Sequence, residues 1–310
     1  MKVQAFPYAF FQDKFVKIED AKVSIMTNAL QYGTAFFGGI RAYYHPVDQA
    51  SYLFRLDDHI NRFLNSAKIF GCPLPYTHQQ LTTIVKDLVK KNQPTTDAYL
   101  RIYAYVGNTE LGPNLANTTL DFALYMVELD EYMPVSIGLK LLVSSWRRVS
   151  DNAIPSRAKA SGAYINSALA RKEATDRGFN EAILLHENGN VSEGTAENIF
   201  LVRDGVILTP DCADGILEGI TRRSVLQIAR DLEIPTQARS IAKSELYIAD
   251  EVFLSGSACQ VAWVESIDKR TIGTGRIGPI TEKLQHKFFN VARGTDPDYS
   301  EWRTKITGGK

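Results

Sequence analysis

The sequence predicts an α+β protein of two domains, and three observations lead there. Helical and strand-like periodicities alternate over residues 1–130. Beyond them, two strong hairpin turns, Asn188-Gly189 and Asp204-Gly205, stand among strand-like runs, so the second part is β-rich with inserted helices. Between the two parts, Glu131-Tyr132-Met133-Pro134 has the turn chemistry of a linker. The expected organisation is an α/β domain over 1–130, a linker over 131–136 and a β-rich domain over 137–310.

In chain order, residues 15–18 follow a Gln12-Asp13 turn and read as a hairpin arm. A helix over 57–70 carries Ile60, Phe63, Leu64 and Ala67 on one face. A second helix begins at Thr77, where Gln80 three residues on completes a capping box, and its apolar positions are Leu81, Ile84, Val85 and Leu88. Strands over 99–106 and 120–127 follow. In the second part, strand-like runs at 181–186 and 198–203 flank a Ser192-Glu193-Gly194 turn. A helix opening at Leu217-Glu218-Gly219-Ile220-Thr221-Arg222 keeps Val225, Ile228, Ala229 and Leu232 at helical spacing. No internal repeat is present, and the residues from Pro297 to Lys310 lose periodicity and are expected to fray.

Bulk composition narrows the class of function. With 310 residues, 45% of them hydrophobic, the chain can bury one large core or two medium ones. Lys plus Arg and Asp plus Glu both number 35, so charge points to neither nucleic acid nor an anionic membrane as partner. No run is long and apolar enough to cross a bilayer, and Met1-Lys2-Val3-Gln4-Ala5-Phe6-Pro7 lacks the apolar core of a signal peptide, which suggests a cytoplasmic protein. Cys72, Cys212 and Cys259 are odd in number and far apart, so reduced thiols are expected rather than disulfides or a zinc site. His45, His59, His78, His186 and His286 form no spaced cluster, and no metal site is expected.

The chemistry-bearing segment is Ile154-Pro155-Ser156-Arg157-Ala158-Lys159-Ala160-Ser161-Gly162-Ala163-Tyr164, one lysine among small residues. A free lysine is neutral at pH 7 in only about one molecule in 10³, so a nucleophilic lysine must be desolvated or tied up as an imine. The small neighbours leave room for a flat ring. A solvated surface lysine is the alternative at this point. Three further pieces fit a covalent, phosphate-bearing cofactor: the carboxylate of Glu193, the helix start at Gly219-Ile220-Thr221 with its exposed N–H groups, and the small-residue turn Leu254-Ser255-Gly256-Ser257-Ala258. On the strand at 99–106, alternation puts Tyr99, Arg101, Tyr103 and Tyr105 on one side and Leu100, Ile102, Ala104 and Val106 on the other. That aromatic and cationic side is either a solvated sheet face or a binding surface. Arg62 lies off the apolar face of its helix, as a surface charge would.

Through these motifs, together with Glu19-Asp20-Ala21-Lys22-Val23, Gln31-Tyr32-Gly33-Thr34, Gly39-Ile40-Arg41, Asn65-Ser66-Ala67-Lys68, Ser144-Ser145-Trp146 and Asp250-Glu251-Val252-Phe253-Leu254-Ser255-Gly256, the chain resembles the branched-chain amino-acid aminotransferases of the fold-type IV pyridoxal-phosphate group. The resemblance covers nearly the whole length. It implies the fold of the D-amino-acid aminotransferases, a small α/β sandwich plus a larger β-rich pseudo-barrel with helices. It also implies transamination of leucine, isoleucine and valine with 2-oxoglutarate, and pyridoxal 5′-phosphate as cofactor. Carried over residue by residue, Lys159 would bear the cofactor, Glu193 would pair with its pyridine nitrogen and Tyr164 with its phenolate oxygen. Arg62, Gly219, Ile220, Thr221 and Ser257 would surround the phosphate, with Leu217 against the ring. Tyr32, Phe37, Gly39, Arg41, Tyr99, Arg101 and Tyr132 would line the substrate pocket, with Ser257 and Ala258 offering donors to the substrate carboxylate. In relatives the loop at 109–114 reaches the neighbouring subunit's site, so a homodimer or an assembly of dimers is implied. The partners are small amino acids and 2-oxo acids.

One departure bears on the pocket. The acidic residue usual before Gly-Ile-Arg is Gly38 here, which is expected to remove a side chain beside the pocket and alter its shape. Rival activities of the same fold are a D-amino-acid or (R)-amine aminotransferase and an aminodeoxychorismate lyase. The Tyr99/Arg101 pair and Leu111-Gly112-Pro113 favour the branched-chain type.

Overall fold

The computed structural model describes residues 4–133 and 135–307; Pro134 of the expected linker and the terminal residues 308–310 lie outside them. The chain forms two compact units: the first combines residues 1–130, 158–162 and 291–310, and the second 131–157 and 163–290.

The first unit contains β1 (Tyr8–Phe11), β2 (Lys14–Lys17), α1 (Asn28–Tyr32), β3 (Ala35–His45), β4 (Ala50–Phe54), α2 (Leu56–Phe70), α3 (His78–Asn92), β5 (Ala98–Tyr105) and β6 (Asp121–Glu128). The turn expected at Gln12-Asp13 joins β1 to β2, and both residues have positive φ (48° and 64°), the geometry that matches strand twist in a two-residue loop. The Thr77 capping box is present: Thr77 Oγ1 accepts from the Gln80 N–H at 3.3 Å, and the Thr77 N–H donates to Gln80 Oε1 at 2.8 Å. α2 and α3 bury Ile60, Phe63, Ala67, Leu81, Val85 and Leu88 against the sheet face formed by Phe36, Ile40, Leu100, Ile102 and Ala104. Each large side chain buried there contributes about 1.5–3 kcal/mol, so this one-sided packing decides which face of β3 and β5 is left for other uses.

The second unit contains β7 (Leu139–Arg147), α4 (Tyr164–Asp176), β8 (Glu181–Leu185), β9 (Val191–Gly194), β10 (Asn198–Arg203), β11 (Val206–Thr209), α5 (Ile220–Asp231), β12 (Thr236–Ala238), β13 (Glu251–Gly256), β14 (Gln260–Ile267) and β15 (Arg270–Thr271). They form one sheet in the order β12-β11-β10-β13-β14-β7-β8-β9, with β15 paired to β14. β7 is parallel to both β8 and β14, and β11 to β12; the other pairs are antiparallel. The sheet curls so that β9, at its far end, lies beside β10; the two are joined by the turn 195–197, which the Gly194 N–H closes by donating to the Glu197 carbonyl at 2.7 Å. Leu141, Ile183, Leu201, Leu254 and Val264 fill the inside of that curl. The Asp204-Gly205 turn links β10 to β11 with φ of 49° and 76°, as its composition predicts. The last helix, α6 (Pro279–Arg293), ends in residues of the first unit.

Two expectations need correction. Ser192-Glu193-Gly194 is not a turn: Glu193 pairs with Leu184 and Gly194 with Ile183, so Glu193 stands on strand β9, and the chain reverses over 195–197 instead. The stretch after Pro297 does not fray over its described part either. Arg303–Thr307 forms β16, antiparallel to β4, and completes the first unit's sheet in the order β16-β4-β3-β5-β6-β1-β2. Its anchors are Ile306, buried in the core, and Trp302 under the Arg55 guanidinium at 4.5 Å. All three cysteines are free, and burial pushes the Cys72 and Cys259 thiols up.

Candidate active site

In the first unit, β4 covers β3 only over 42–45, which leaves the other edge of the start of β3 open. The segment 158–162 takes that edge. The Phe37 N–H donates to the Lys159 carbonyl at 3.1 Å, and Ala160 bridges Phe36. Gly33, the left-handed C-cap of α1 (φ 69°), lies so close to this segment that a Cβ on it would come within 3.0 Å of Gly162 Cα. Gly33 is therefore required, by its φ and by this close approach, where the lysine segment crosses the helix end. Lys159 is half-buried, and its Nζ lies 5.4 Å from the centre of the Phe37 ring, so it is not a freely solvated surface lysine.

Beside it, the face of β3 and β5 not used by the core presents Phe37 opposite Tyr103, Gly39 opposite Arg101 and Arg41 opposite Tyr99. Arg101 spreads its guanidinium over Phe37 (4.3 Å) and Tyr99 (5.4 Å). The Tyr99 hydroxyl occupies the space that a Cβ on Gly39 would need. Arg41 is only 1% exposed. Gly38 is a correction: it lies on the opposite, core-facing side, where a Cβ would meet Ile102 Cγ1 at 2.7 Å. The missing side chain therefore enlarges nothing on the Phe37 face. Tyr32 accepts a hydrogen bond from the Gly112 N–H at 3.1 Å, which ties it to the loop after β5. Asn28 holds the same loop through the Glu110 carbonyl at 3.0 Å. Arg62 is half-buried on α2.

In the second unit, Glu193 is buried, and each of its oxygens is engaged. Oε1 lies 3.1 Å from Arg148 Nε, while Oε2 accepts from the Leu217 N–H at 3.0 Å and from Asn198 Nδ2 at 3.2 Å. Asn198 Nδ2 also reaches the Leu217 carbonyl at 2.9 Å, and Arg148 Nε the Gly215 carbonyl at 3.3 Å. A carboxylate in this cage is fixed in orientation and charge-compensated. Sequence reasoning misses both Arg148 and Asn198. Asn198 sits within the Ser-Glu-Gly-Thr-Ala-Glu-Asn run that draws attention to Glu193, but Arg148, 45 positions upstream of Glu193 by subtraction, has no local signal.

The residues expected around a phosphate are also in this unit. Ile220 and Thr221, both buried, open α5 behind Gly219, an extended N-cap with no side chain to satisfy the first N–H groups. Gly219 is close-packed, since a Cβ on it would collide with Asn198 Oδ1. Arg222 turns away, donating to Thr209 Oγ1 at 3.3 Å and the Pro210 carbonyl at 3.0 Å, and burial lowers its pKa. Ser257 and Ala258 lie in the turn joining β13 to β14, Tyr164 is the first residue of α4, and Tyr132 is exposed between 131 and 133. Among the described residues, no cluster of His, Cys, Asp and Glu is suited to a metal ion, and no helix is long and apolar enough to cross a membrane.

This donor set suits pyridoxal phosphate: a partly desolvated amine, a fixed carboxylate for a protonated ring nitrogen, and an uncapped helix start for a dianion. Comparison with known proteins agrees. Residues 36–267 match the amino-transferase class IV family model. A "Probable branched-chain-amino-acid aminotransferase" of Aquifex aeolicus is 44% identical, with 99% of each chain covered. The branched-chain aminotransferase of Thermoproteus uzoniensis, solved with norvaline, superposes with a TM-score of 0.93 at 39% identity, covering 98% of this chain and 100% of its own. The branched-chain amino acid aminotransferase of Thermobaculum terrenum, solved in its PLP-form, gives 0.93 at 33% identity, with 98% and 99% covered.

Proposed function

Because the chain belongs to the amino-transferase class IV family, we propose that it is a pyridoxal-phosphate-dependent aminotransferase that exchanges amino groups between branched-chain L-amino acids and 2-oxoglutarate. The observation that carries the substrate reading is the face beside Lys159. Phe37, Tyr99 and Tyr103 offer apolar and aromatic surface, and Arg101, half-exposed, brings a guanidinium within reach of a ligand there. Aliphatic side chains gain about 0.8 kcal/mol per buried methylene on such a surface, whereas a charged one needs a partner. Arg101 is that partner for the distal carboxylate of glutamate.

Pyridoxal phosphate, when bound, supplies the electron sink for the charge left as a proton leaves the substrate Cα. The chain's residues do the rest. Lys159 Nζ would hold the cofactor and, as a free amine, would move the proton between the substrate Cα and the cofactor's C4′ carbon. Glu193, fixed by Arg148 and Asn198, would keep a proton on the pyridine nitrogen. Tyr164 would donate to the phenolate oxygen, and Leu217 would pack on the ring. The first turn of α5, Thr221, Ser257 and Arg62 would hold the phosphate. The Ser257 and Ala258 N–H groups orient the substrate carboxylate, and Tyr32 and Tyr132 complete the pocket. A homodimer in the cytoplasm is part of this reading; Leu111, 86% exposed on a loop that Asn28 and Tyr32 hold in place, supports it as a group presented to a second subunit.

The test is the half-reaction followed by absorbance of the bound cofactor, with L-leucine, D-alanine and (R)-phenylethylamine. L-leucine is expected to convert the cofactor fastest. A tenfold advantage for D-alanine or the amine would replace the branched-chain reading with the rival one. Lys159→Ala should abolish both the covalent adduct trapped by borohydride and the conversion.

A further inference from the structure

Arg41 stands on the same strand face as Phe37 and Gly39, yet it is 1% exposed and its guanidinium is turned to the protein itself. Arg41 Nη2 donates to the Asp130 carbonyl, and Asp97 Oδ2 lies 4.0 Å from the same nitrogen. Asp97 is in turn tied down from several sides. Its Oδ1 accepts from the Tyr44 N–H at 2.9 Å, its Oδ2 from Arg293 Nη2 at 2.8 Å, and its backbone carbonyl from the Leu129 N–H at 3.1 Å. The consecutive residues Leu129 and Asp130, which carry the chain out of β6 and end the first unit's leading segment, are thus held by Asp97 and Arg41 respectively. Such a buried cation persists only beside a counter-charge, and Asp97 supplies it. Arg41 Nε and Nη1 have no hydrogen-bond partner among the described residues, which makes a substrate carboxylate the competing explanation.

We propose that Arg41 and Asp97 are positioning residues that act together to fix the chain at 129–130, two residues before Tyr132, and that Arg41 does not touch substrate. This rests on the aminotransferase reading, because Tyr132 matters here as a wall of that site. A group sealed from solvent on the one face a substrate would approach is poorly placed as a contact, whereas Arg101 on the next strand is half-exposed. An arginine that forms a backbone bond and is neutralised by a neighbouring aspartate instead removes freedom from the segment it grips.

The experiment compares the wild-type holoenzyme with Asp97→Asn and Arg41→Lys. Asp97→Asn keeps an oxygen for the Tyr44 N–H and the backbone bond to Leu129 while removing the charge. Arg41→Lys keeps the charge but loses the fork. The readouts are KM and kcat per cofactor-bearing subunit for 2-oxoglutarate and for 2-oxo-4-methylpentanoate, and amide hydrogen exchange of the peptide spanning 129–133. Both variants should raise KM for the two acids by a common factor of about five to ten, with kcat changed by less than about threefold. Exchange at 129–133 should quicken in both, with that of α2 and α3 unchanged. If Arg41→Lys raises KM for 2-oxoglutarate at least about fivefold more than for the branched acid, Arg41 is a substrate contact and the proposal fails. Unchanged exchange at 129–133 also overturns it, as does a uniform loss of active protein with unaltered KM. A wild-type protein that shows no absorbance change with L-leucine would sink the aminotransferase reading instead, and the exchange measurement would still decide the positioning role.

Discussion

Arg148 Nε lies 3.1 Å from Glu193 Oε1, so the carboxylate at the centre of the second unit's candidate site has its own guanidinium counter-charge. Both side chains are largely buried, and such a pair cannot lose one partner without leaving a desolvated charge. Glu193→Gln should therefore leave cofactor bound but slow the half-reaction by two or more orders of magnitude, because an amide does not hold a proton on the pyridine nitrogen. Arg148→Met should lose about ten- to a hundredfold, as expected when one charge-assisted hydrogen bond worth about 1.5–3 kcal/mol is removed. Single-turnover kinetics with L-leucine measure both. Equal, few-fold effects would mean that Glu193 is structural.

Gly39→Ala tests the contact with Tyr99. The added methyl falls where the Tyr99 hydroxyl stands, so the ring must swing off the face. KM for L-leucine should rise by about tenfold or more while the melting temperature moves little, because the ring is at the protein's surface side of the sheet and not in its core. Steady-state kinetics and a thermal melt check the two halves. Gly38→Ala, in contrast, presses on Ile102 from the core side and should lower the melting temperature without altering substrate preference.

Arg101→Ala separates the two kinds of substrate. Loss of a charged hydrogen bond to a distal carboxylate should cost 2-oxoglutarate about tenfold or more in kcat/KM. 2-Oxo-4-methylpentanoate, which has no such group, should change by only a few fold. Equal losses would place Arg101 outside substrate recognition.

A pH effect is expected away from the site. The Arg239 side chain, with its two hydrogen bonds, holds the Glu245 carboxyl at a pKa of about 2, against an ordinary 4.5. A carboxylate whose folded pKa is depressed contributes stability that is complete above the unfolded value and is lost as pH falls through the folded one. Glu245→Gln should thus lower stability at pH 7, and its deficit relative to wild type should shrink as pH falls from 4.5 towards 2. Denaturant midpoints across that window measure the gap, and a constant gap would contradict the linkage.

Much of this is legible in the sequence because local rules govern it. Thr77 with Gln80, Gln12-Asp13 and Asp204-Gly205 each carry their geometry in adjacent residues, and the alternation of 99–106 separates core from free face correctly. What escapes depends on distant partners. Glu193 reads as part of a turn because its Ser-Glu-Gly surroundings are turn-like, yet pairing with β8 draws it into a strand. Arg303–Thr307 is too short to show a period, and only its pairing with β4 makes it a strand. Gly38 reads as a pocket residue from its place in a motif, although the alternation that sorts Tyr99 from Leu100 puts it opposite Phe37. Arg148 finds Glu193 only in three dimensions.

The first unit's sheet has a consequence for how the chain can reach this state. Lys305 on β16 and Asp48 in the turn before β4, bonded at 2.9 Å, are 257 residues apart in the sequence, and the segment 158–162 that covers β3 is likewise remote. Until those segments arrive, residues 1–130 leave bare the edges of β3 and β4 that they later cover. Unpaired edges recruit other strands, including those of other copies. An isolated 1–130 fragment is therefore a poor candidate for expression, and during synthesis the early sheet must wait, uncapped, for chain that emerges much later, which favours slow maturation and reliance on holding chaperones.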